Sequence, residues 1–282
     1  MASLALQFDV PDEDRDKLEG FFLMRTPLEG ILENDDGSLT FFIPEQNWND
    51  LIASEVRSRF PHTEFLEAIL YEEKNWNAEW EASIEPIQVT PDLLIAPSWK
   101  KEEAQAMGSK YLLIVDPKMS FGTGHHETTR LCLQAMESLR LHNRKVLDLG
   151  TGSGILALYA LERGAKKVLA IDTDTWSIQN ARENRAINKR SDPEFEIRMG
   201  TIERVRPQEM LGVLFANIHR NVLLEIPADL FAHAAARAHL VLSGILEYDA
   251  KEIQTAYEKA GFTFQREWKE NEWSCLVFQR VA

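Results

Sequence analysis

Cysteine is scarce in this sequence. Cys132 and Cys275 are the only two in 282 residues, and they form no motif. A disulfide framework is therefore excluded, and a cytosolic protein with reduced thiols is the default expectation. Long apolar runs are missing as well. No stretch approaches the roughly 20 apolar residues of a membrane helix, so no membrane association is expected. The opening MASLALQFDVPDEDRDK has no basic segment, and Asp9 interrupts its apolar run, so it does not read as a signal peptide. H-E-x-x-H is absent, and no cluster of His, Cys or carboxylates accompanies the neighbours His125 and His126, so no metal is expected. No glycine loop ends in Lys-Ser or Lys-Thr, which excludes a phosphate loop of that type.

Positive charge is scarce in one region only. Residues 1–90 hold 20 Asp+Glu against six Lys+Arg, while the remainder holds 25 of each, so the whole net charge of −14 sits in the first third. Such a surface repels nucleic acid, and direct nucleic-acid binding is not expected. It either aids solubility or attracts a basic partner.

The first third alternates short elements in the order β-α-β-β-α-β, the ferredoxin-like pattern. SLALQFDV is the first strand. A helix follows Pro11, with Asp12 or Asp14 able to cap it. NDDG marks a hairpin. A helix over NWNDLIASEVRSRF is stopped by Pro61, and EFLEAILYEE makes the fourth strand. This reading gives an acidic domain over 1–72 and a connector over 73–110. The connector bears Trp76, Trp80 and Trp99, with a short helix near the first two and strand pieces at Ile87 and at Leu93 to Ile95. A second domain covers 111–282. From Glu127 onward, strands alternate with helices. Helices are predicted over 127–141 and VLLEIPADLFAHAA, among others, and the two final strands have no helix between them. That is a doubly wound α/β sheet with an antiparallel hairpin at one end.

Two glycine-rich stretches carry the chemistry. In VLDLGTGSGILAL a buried strand runs into Gly150, Gly152 and Gly154 and then straight into a helix. Glycine permits the tight turn and a close approach of ligand to backbone. The next strand ends in Asp172, at the distance where an acid accepts both ribose hydroxyls of an adenosine ligand. A dinucleotide loop would need a third glycine at the position of Ile155, so that frame fails. G-x-G-x-G preceded by Asp148 suits a ligand with an amino-acid end, which Asp148 is placed to assist. These residues favour S-adenosylmethionine over NAD.

The other stretch, SFGTGHHETTR, precedes the first core strand and would lie over that cofactor. Gly122 and Gly124 allow close packing, Thr129 offers a hydroxyl to the methionine end, and His126 either orients the loop or only packs. Asn217 ends the fourth core strand, where the transferring methyl group belongs; its alternative role is to cap the helix starting near Asn221. The following Ile218-His219-Arg220 lacks the prolines and aromatic that a planar amide or base would require, which favours an aliphatic amine.

With both stretches in view, the sequence resembles the PrmA family of bacterial methyltransferases that modify large-subunit ribosomal protein eleven. The likeness rests on Phe121-Gly122-Thr123-Gly124 with His126 and Thr128-Thr129, on VLDLGTGSGILAL and VLAIDTD, on Ala216-Asn217-Ile218, and on LSGIL. The chain departs from it at His219-Arg220, where the family usually continues Leu-Ala.

The resemblance implies a Rossmann-like class I methyltransferase domain and a small N-terminal ferredoxin-like α+β domain that recognises the target. It implies cofactor contacts at Thr129, Gly150, Asp172 and Asn217. It also implies methylation of lysine side chains and an α-amino group. No residue reads as a general base, so Asn217 is assigned to positioning. Trp76, Trp80, Trp99 and Trp273 either line a target pocket or pack the core. A cytoplasmic monomer is expected. The competing readings are a methyltransferase for a small amine, for arginine or for another basic protein, and a noncatalytic scaffold whose acidic domain docks a partner.

Overall fold

A computed structural model describes residues 3–71, 84–118 and 120–281. The chain divides into two compact units, Met1–Trp80 and Glu81–Ala282.

The first unit runs β1 (Ser3–Asp9), α1 (Asp12–Arg25), β2 (Gly30–Glu33), β3 (Leu39–Pro44), α2 (Asp50–Arg59) and β4 (Glu64–Tyr71). Its strands pair antiparallel in the order β2-β3-β1-β4, the ferredoxin-like arrangement. Alternation along β1 and β3 sends Leu6, Phe8, Phe41 and Ile43 to one face. There they meet Leu18, Phe21 and Phe22 of α1 and Val56 of α2. Phe22 stacks on Phe41 with ring centroids 4.4 Å apart. Neither Asp12 nor Asp14 caps α1. Pro11 occupies the cap position without a side-chain bond, and the acids fill the first turn, where the helix field favours them.

The second unit begins with a small sheet, β5 (Ile87–Thr90), β6 (Leu93–Ala96) and β7 (Tyr111–Ile114), with α3 (Lys101–Ala106) between its last two strands. The strand pieces expected within 73–110, at Ile87 and at Leu93 to Ile95, are therefore β5 and β6, joined with β7 into one sheet. The cause is the run Leu93-Leu94-Ile95-Ala96, which is fully buried and pairs in parallel with β7. The helix expected near Trp76 and Trp80 lies outside the described residues.

The main sheet follows, with α4 (Glu127–Glu137), β8 (Lys145–Leu149), α5 (Ile155–Glu162), β9 (Lys167–Asp172), α6 (Thr175–Ile187), β10 (Phe195–Met199) and β11 (Leu211–Asn217). Next come α7 (Arg220–Glu225), α8 (Pro227–His233), β12 (Ala234–Leu246), α9 (Ala250–Lys259), β13 (Phe262–Glu270) and β14 (Trp273–Arg280). The seven strands lie in the order β10-β9-β8-β11-β12-β14-β13. The first five are mutually parallel, and β14 enters antiparallel between β12 and β13. Parallel strands buried on both faces require near-continuous apolar runs, which VLDL, VLAI and GVLFA supply.

Three boundaries differ from the periodicity reading. The helix expected over 127–141 stops at Glu137, where the Ser138 hydroxyl donates to the Ala135 carbonyl and closes the last turn. The single helix expected over VLLEIPADLFAHAA is two, because Pro227 cannot continue α7 and instead starts α8. Ala234 and Ala235, read as helix end, open the long strand β12, whose first residue pairs with Leu211.

Phe22 carries the first unit's core, so Phe22→Ala should destabilise that unit by about 3–5 kcal/mol. Urea unfolding followed by the near-ultraviolet signal checks this; a loss below about 1 kcal/mol would show that the aromatic stack is not its anchor.

Candidate cofactor and methyl-transfer site

The glycine loop is shaped by what lies against it. Gly150, Gly152 and Gly154 have φ of +73°, +53° and +84°, a region open chiefly to glycine. A Cβ on Gly150 would overlap the Ile218 side chain, and one on Gly152 would overlap the Phe121 carbonyl oxygen. The amides of Gly150 and Thr151 both donate to the Ile171 carbonyl at 2.8 and 3.0 Å, which turns the chain at the carboxyl edge of the sheet. Asp172 ends the neighbouring strand. Its Oδ2 accepts from the Gly152 amide at 2.9 Å and its Oδ1 from the Asp174 amide at 3.0 Å.

Asp148 is fully buried beneath this loop. Its Oδ2 accepts from the Thr151 hydroxyl at 2.6 Å and from the Ala157 amide at 3.2 Å. Ala157 is in the first turn of α5, whose cap residue Gly154 has no side chain, so Asp148 supplies the missing cap from the preceding strand. Burial pushes the Asp148 carboxyl up to about 7, against the pull of those two bonds; the nearby charge of Asp172 adds to the rise. The other oxygen, Oδ1, is buried with no partner among the described residues. Any direct role of Asp148 toward a ligand is thus confined to that one atom. Thr129, 1% exposed in the first turn of α4, likewise has an unpartnered buried hydroxyl. Buried polar atoms are rarely left unpaired. Two such atoms among the residues singled out for a cofactor fit a site that a polar ligand completes.

The segment from Ser120 to His126 lies on the glycine loop. The Ser153 amide donates to the Phe121 carbonyl at 2.9 Å, and the Ser153 hydroxyl donates to the Gly122 carbonyl. Gly124 packs so closely that a Cβ would stand 2.8 Å from the Ile95 side chain. His126 caps α4: its Nδ1 accepts from the Thr128 amide at 3.2 Å and lies 2.8 Å from the Thr128 hydroxyl. Accepting at Nδ1 assigns the ring proton to Nε2. The imidazole is flanked by Phe121 at 4.9 Å and Trp273 at 5.1 Å, both edge-on. His125 instead meets Thr123, so the two imidazoles part.

Asn217 ends β11 in register with Ser243 of β12. It does not cap α7, since His219 holds that position. Because β8 lies between β9 and β11, Asp172, Gly150 and Asn217 come from the ends of three adjacent strands. Of the tryptophans considered for a pocket, Trp273 reaches His126. Trp99 is exposed in a short turn, and Trp76 and Trp80 are outside the described residues.

Two groups of supporting residues escaped the sequence reading. Arg130 donates through Nε to Glu270 at 2.9 Å and through Nη1 to the His125 carbonyl, while Asn271 donates to Glu127 at 3.0 Å. The tip of the β13–β14 hairpin thereby holds the loop. No local signal reveals this, because the partners are 140 and more residues apart. The second group is an asparagine stripe on α6 and its end. Asn180 and Asn184 both donate to the Asp116 carbonyl, Asn184 also donates to the Ser153 carbonyl at 2.9 Å, and Asn188 bonds Ile114 through both amide atoms. Their spacing of four was a readable signal.

A model of the ribosomal protein L11 methyltransferase family, PrmA, matches residues 18–281. The chain belongs to that family. A ribosomal protein L11 methyltransferase of Chlorobaculum parvum is 34% identical over 281 residues, 97% of this chain and 96% of that protein. The protein of the same name from Chlorobaculum tepidum is 35% identical over the same span. Among solved structures, a ribosomal protein L11 methylase from Lactobacillus delbrueckii is similar with TM-score 0.65 and 28% identity, covering 71% of this chain and all of that one. A methyltransferase from Pyrococcus furiosus, 19% identical with TM-score 0.53, shares the fold. This chain is a methyltransferase.

The buried Asp148 makes the stability of the methyltransferase pH-dependent. Its carboxyl is raised in the folded state, so the unfolded chain loses its proton first as pH rises. Stability should therefore decline from about pH 4 to about pH 7 and stay lower above, by up to about 4 kcal/mol. Asp148→Asn should remove most of this decline. Chemical denaturation of both ligand-free proteins at pH 5 and pH 8 checks it, and equal pH dependence in the two would refute it.

Proposed function

We propose that this methyltransferase transfers the methyl group of S-adenosylmethionine to lysine side chains and the α-amino group of ribosomal protein L11. The observation that carries the cofactor reading is the convergence of Gly150, Asp172 and Asn217 on adjacent strand ends, beside the unpartnered buried atoms of Thr129 and Asp148. The named activity of the Chlorobaculum relatives supports the substrate.

In this reading Asp172 accepts the ribose hydroxyls while its existing bonds hold the carboxylate in place. Gly150, Gly152 and Gly154 admit the ligand close to the backbone. Thr129 Oγ1 and Asp148 Oδ1 receive its amino-acid end. The segment with Phe121, Gly122, Gly124 and His126 covers the site and excludes water. S-adenosylmethionine, when bound, supplies a methyl group already activated by positive sulfur. Asn217 then holds the accepting amine in line, and positioning accounts for most of the rate. The amine must be neutral, although a free lysine has pKa about 10.4. Desolvation in the cationic neighbourhood of the sulfur lowers that value, so no general base is assigned. The acidic residues 1–72 attract and hold the basic target, with the following segment as connector, in a cytoplasmic enzyme. The other reading, a small amine or another basic protein as acceptor, lacks a comparable supporting observation.

Incubation with labelled S-adenosylmethionine and undermethylated ribosomal proteins should label L11. Label on a different protein, or on none, would sink the assignment. Asp172→Ala should weaken S-adenosylmethionine binding by about 1–3 kcal/mol, measured by calorimetry. Asn217→Ala should lower kcat more than it weakens cofactor binding, and an unchanged kcat would remove Asn217 from the site.

A further inference from the structure

Asn217 is the last residue of β11, and the chain leaves the sheet through Ile218 and His219 before α7 begins at Arg220. Little in this segment holds itself in place. α7 has six residues and no side-chain cap, too short to be stable alone. Its position must come from its neighbours.

Four contacts supply it, the first being the Ile218 amide, which donates to the Ser243 carbonyl of β12 at 3.3 Å. Ile218 is wedged between two glycines: its side chain fills the space a Cβ on Gly150 would need, and its carbonyl oxygen lies 2.5 Å from where a Cβ on Gly244 would stand. Farther along, the buried Tyr257 hydroxyl of α9 donates to the Leu223 carbonyl at 2.9 Å and fixes the body of α7. Between these two anchors is Arg220. Its Nη2 is paired with Glu252 of α9, and its Nη1 donates to the Asn221 side chain at 3.1 Å. Its Nε stands 2.9 Å from Asp249 Oδ1, although the N–H does not point at that oxygen, so this is a charge contact rather than a hydrogen bond. The Asp249 side chain is 16% exposed and that of Arg220 31%, which sets this pair apart from fully exposed ion pairs of negligible worth. Asp249 and Glu252 belong to the turn and helix that follow β12, the strand paired with β11. Arg220 therefore joins the exits of two neighbouring strands at the carboxyl edge of the sheet.

We propose that Arg220 is a positioning residue for methyl transfer: bound to Asp249 and Glu252, it locks the exit of β11 and so fixes the Asn217 amide toward the accepting amine. The inference rests on the reading of Asn217 given above. Because Tyr257 holds the body of α7, and Ser243 with the two glycines holds Ile218, loss of Arg220 loosens His219 and the start of the helix without unfolding it. The expected signature is a slower methyl-transfer step with cofactor affinity preserved, since Asp172, Thr129 and the glycine loop are untouched.

The test is a double-mutant cycle on the full chain with L11 as acceptor, reading single-turnover rates, S-adenosylmethionine Kd and Tm. Arg220→Ala should slow methyl transfer about 5–20-fold and change the Kd less than about twofold. In an Asn217→Ala background the same change should slow it less than about twofold, because the residue it positions is gone. Full speed in Asn217→Ala alone would overturn the reading of Asn217. A slow Asn217→Ala beside a full-speed Arg220→Ala would overturn this inference and leave that reading standing. Equal losses from Arg220→Ala in both backgrounds, or a Kd that weakens as much as the rate falls, would overturn it too. Should Arg220→Ala fail to fold, Asp249→Asn combined with Glu252→Gln releases the guanidinium from the other side, with the same outcomes expected.

Discussion

The Phe121 carbonyl oxygen occupies the place where a side chain at Gly152 would begin. That approach lets the Ser153 amide and hydroxyl reach the carbonyls of Phe121 and Gly122, so the Ser120–His126 segment is held by hydrogen bonds from the glycine loop itself. Gly150 plays the same part on the other side, where Ile218 fills its missing side chain and brings the end of β11 against the end of β8. The glycine loop is thus the common surface on which the Ser120–His126 segment and the end of β11 both rest. A methyl group at either glycine would push apart elements separated by tens of residues in sequence. The three positive φ angles follow from this packing as much as from the turn.

Electrostatics at the same place is a compromise. A helix as apolar as α5 must start with unpaired amides, and Gly154 cannot cap them. Asp148 does so from inside the strand, at the cost of a buried carboxylate with one oxygen unpaired. Asp172 stands close enough to raise the Asp148 carboxyl further, so negative charge nearby sets the Asp148 carboxylate under tension. A cationic ligand end relieves this tension, whereas a pyrophosphate would add to it. The electrostatics and the failed dinucleotide spacing at Ile155 thus favour the same ligand class.

The strand-glycine-helix unit, Asp172 and the alternation of elements were legible in the sequence because each depends on spacings shorter than about 25 residues and on residue types with few alternative uses. The order β-α-β-β-α-β of the first unit was legible for the same reason. What escaped was set by partners distant in sequence. The Arg130–Glu270 clamp and the edge-on contact of Trp273 with His126 exist only once the final hairpin folds back beside α4. The asparagines of α6 were overlooked because asparagine in a helix reads as neutral, although their spacing marked one face. The break at Pro227 was visible, but the apolar periodicity on both sides of it outweighed the proline. The strand pieces at Ile87 and at Leu93 to Ile95 were legible, but not their union with β7 into one sheet, because that parallel partner lies beyond an intervening helix.

Rigidity at the site therefore comes from elements that carry no chemistry. The final hairpin enters the sheet antiparallel, and its tip binds the first turn of α4 through Glu270 at Arg130 and Asn271 at Glu127; Arg130 in turn holds the His125 carbonyl. On the opposite side, α6 holds the backbone ahead of the covering segment through Asn180 and Asn184 at Asp116, and Asn184 also binds the glycine loop at Ser153. The covering segment is anchored at both ends, with Gly122 and Gly124 between the anchors at φ of +99° and +91°. Two fixed ends around two glycines permit a local change of backbone without moving α4 or the sheet. On the proposed function, this would let the segment admit S-adenosylmethionine and close over it while Thr129, on the first turn of α4, keeps its place.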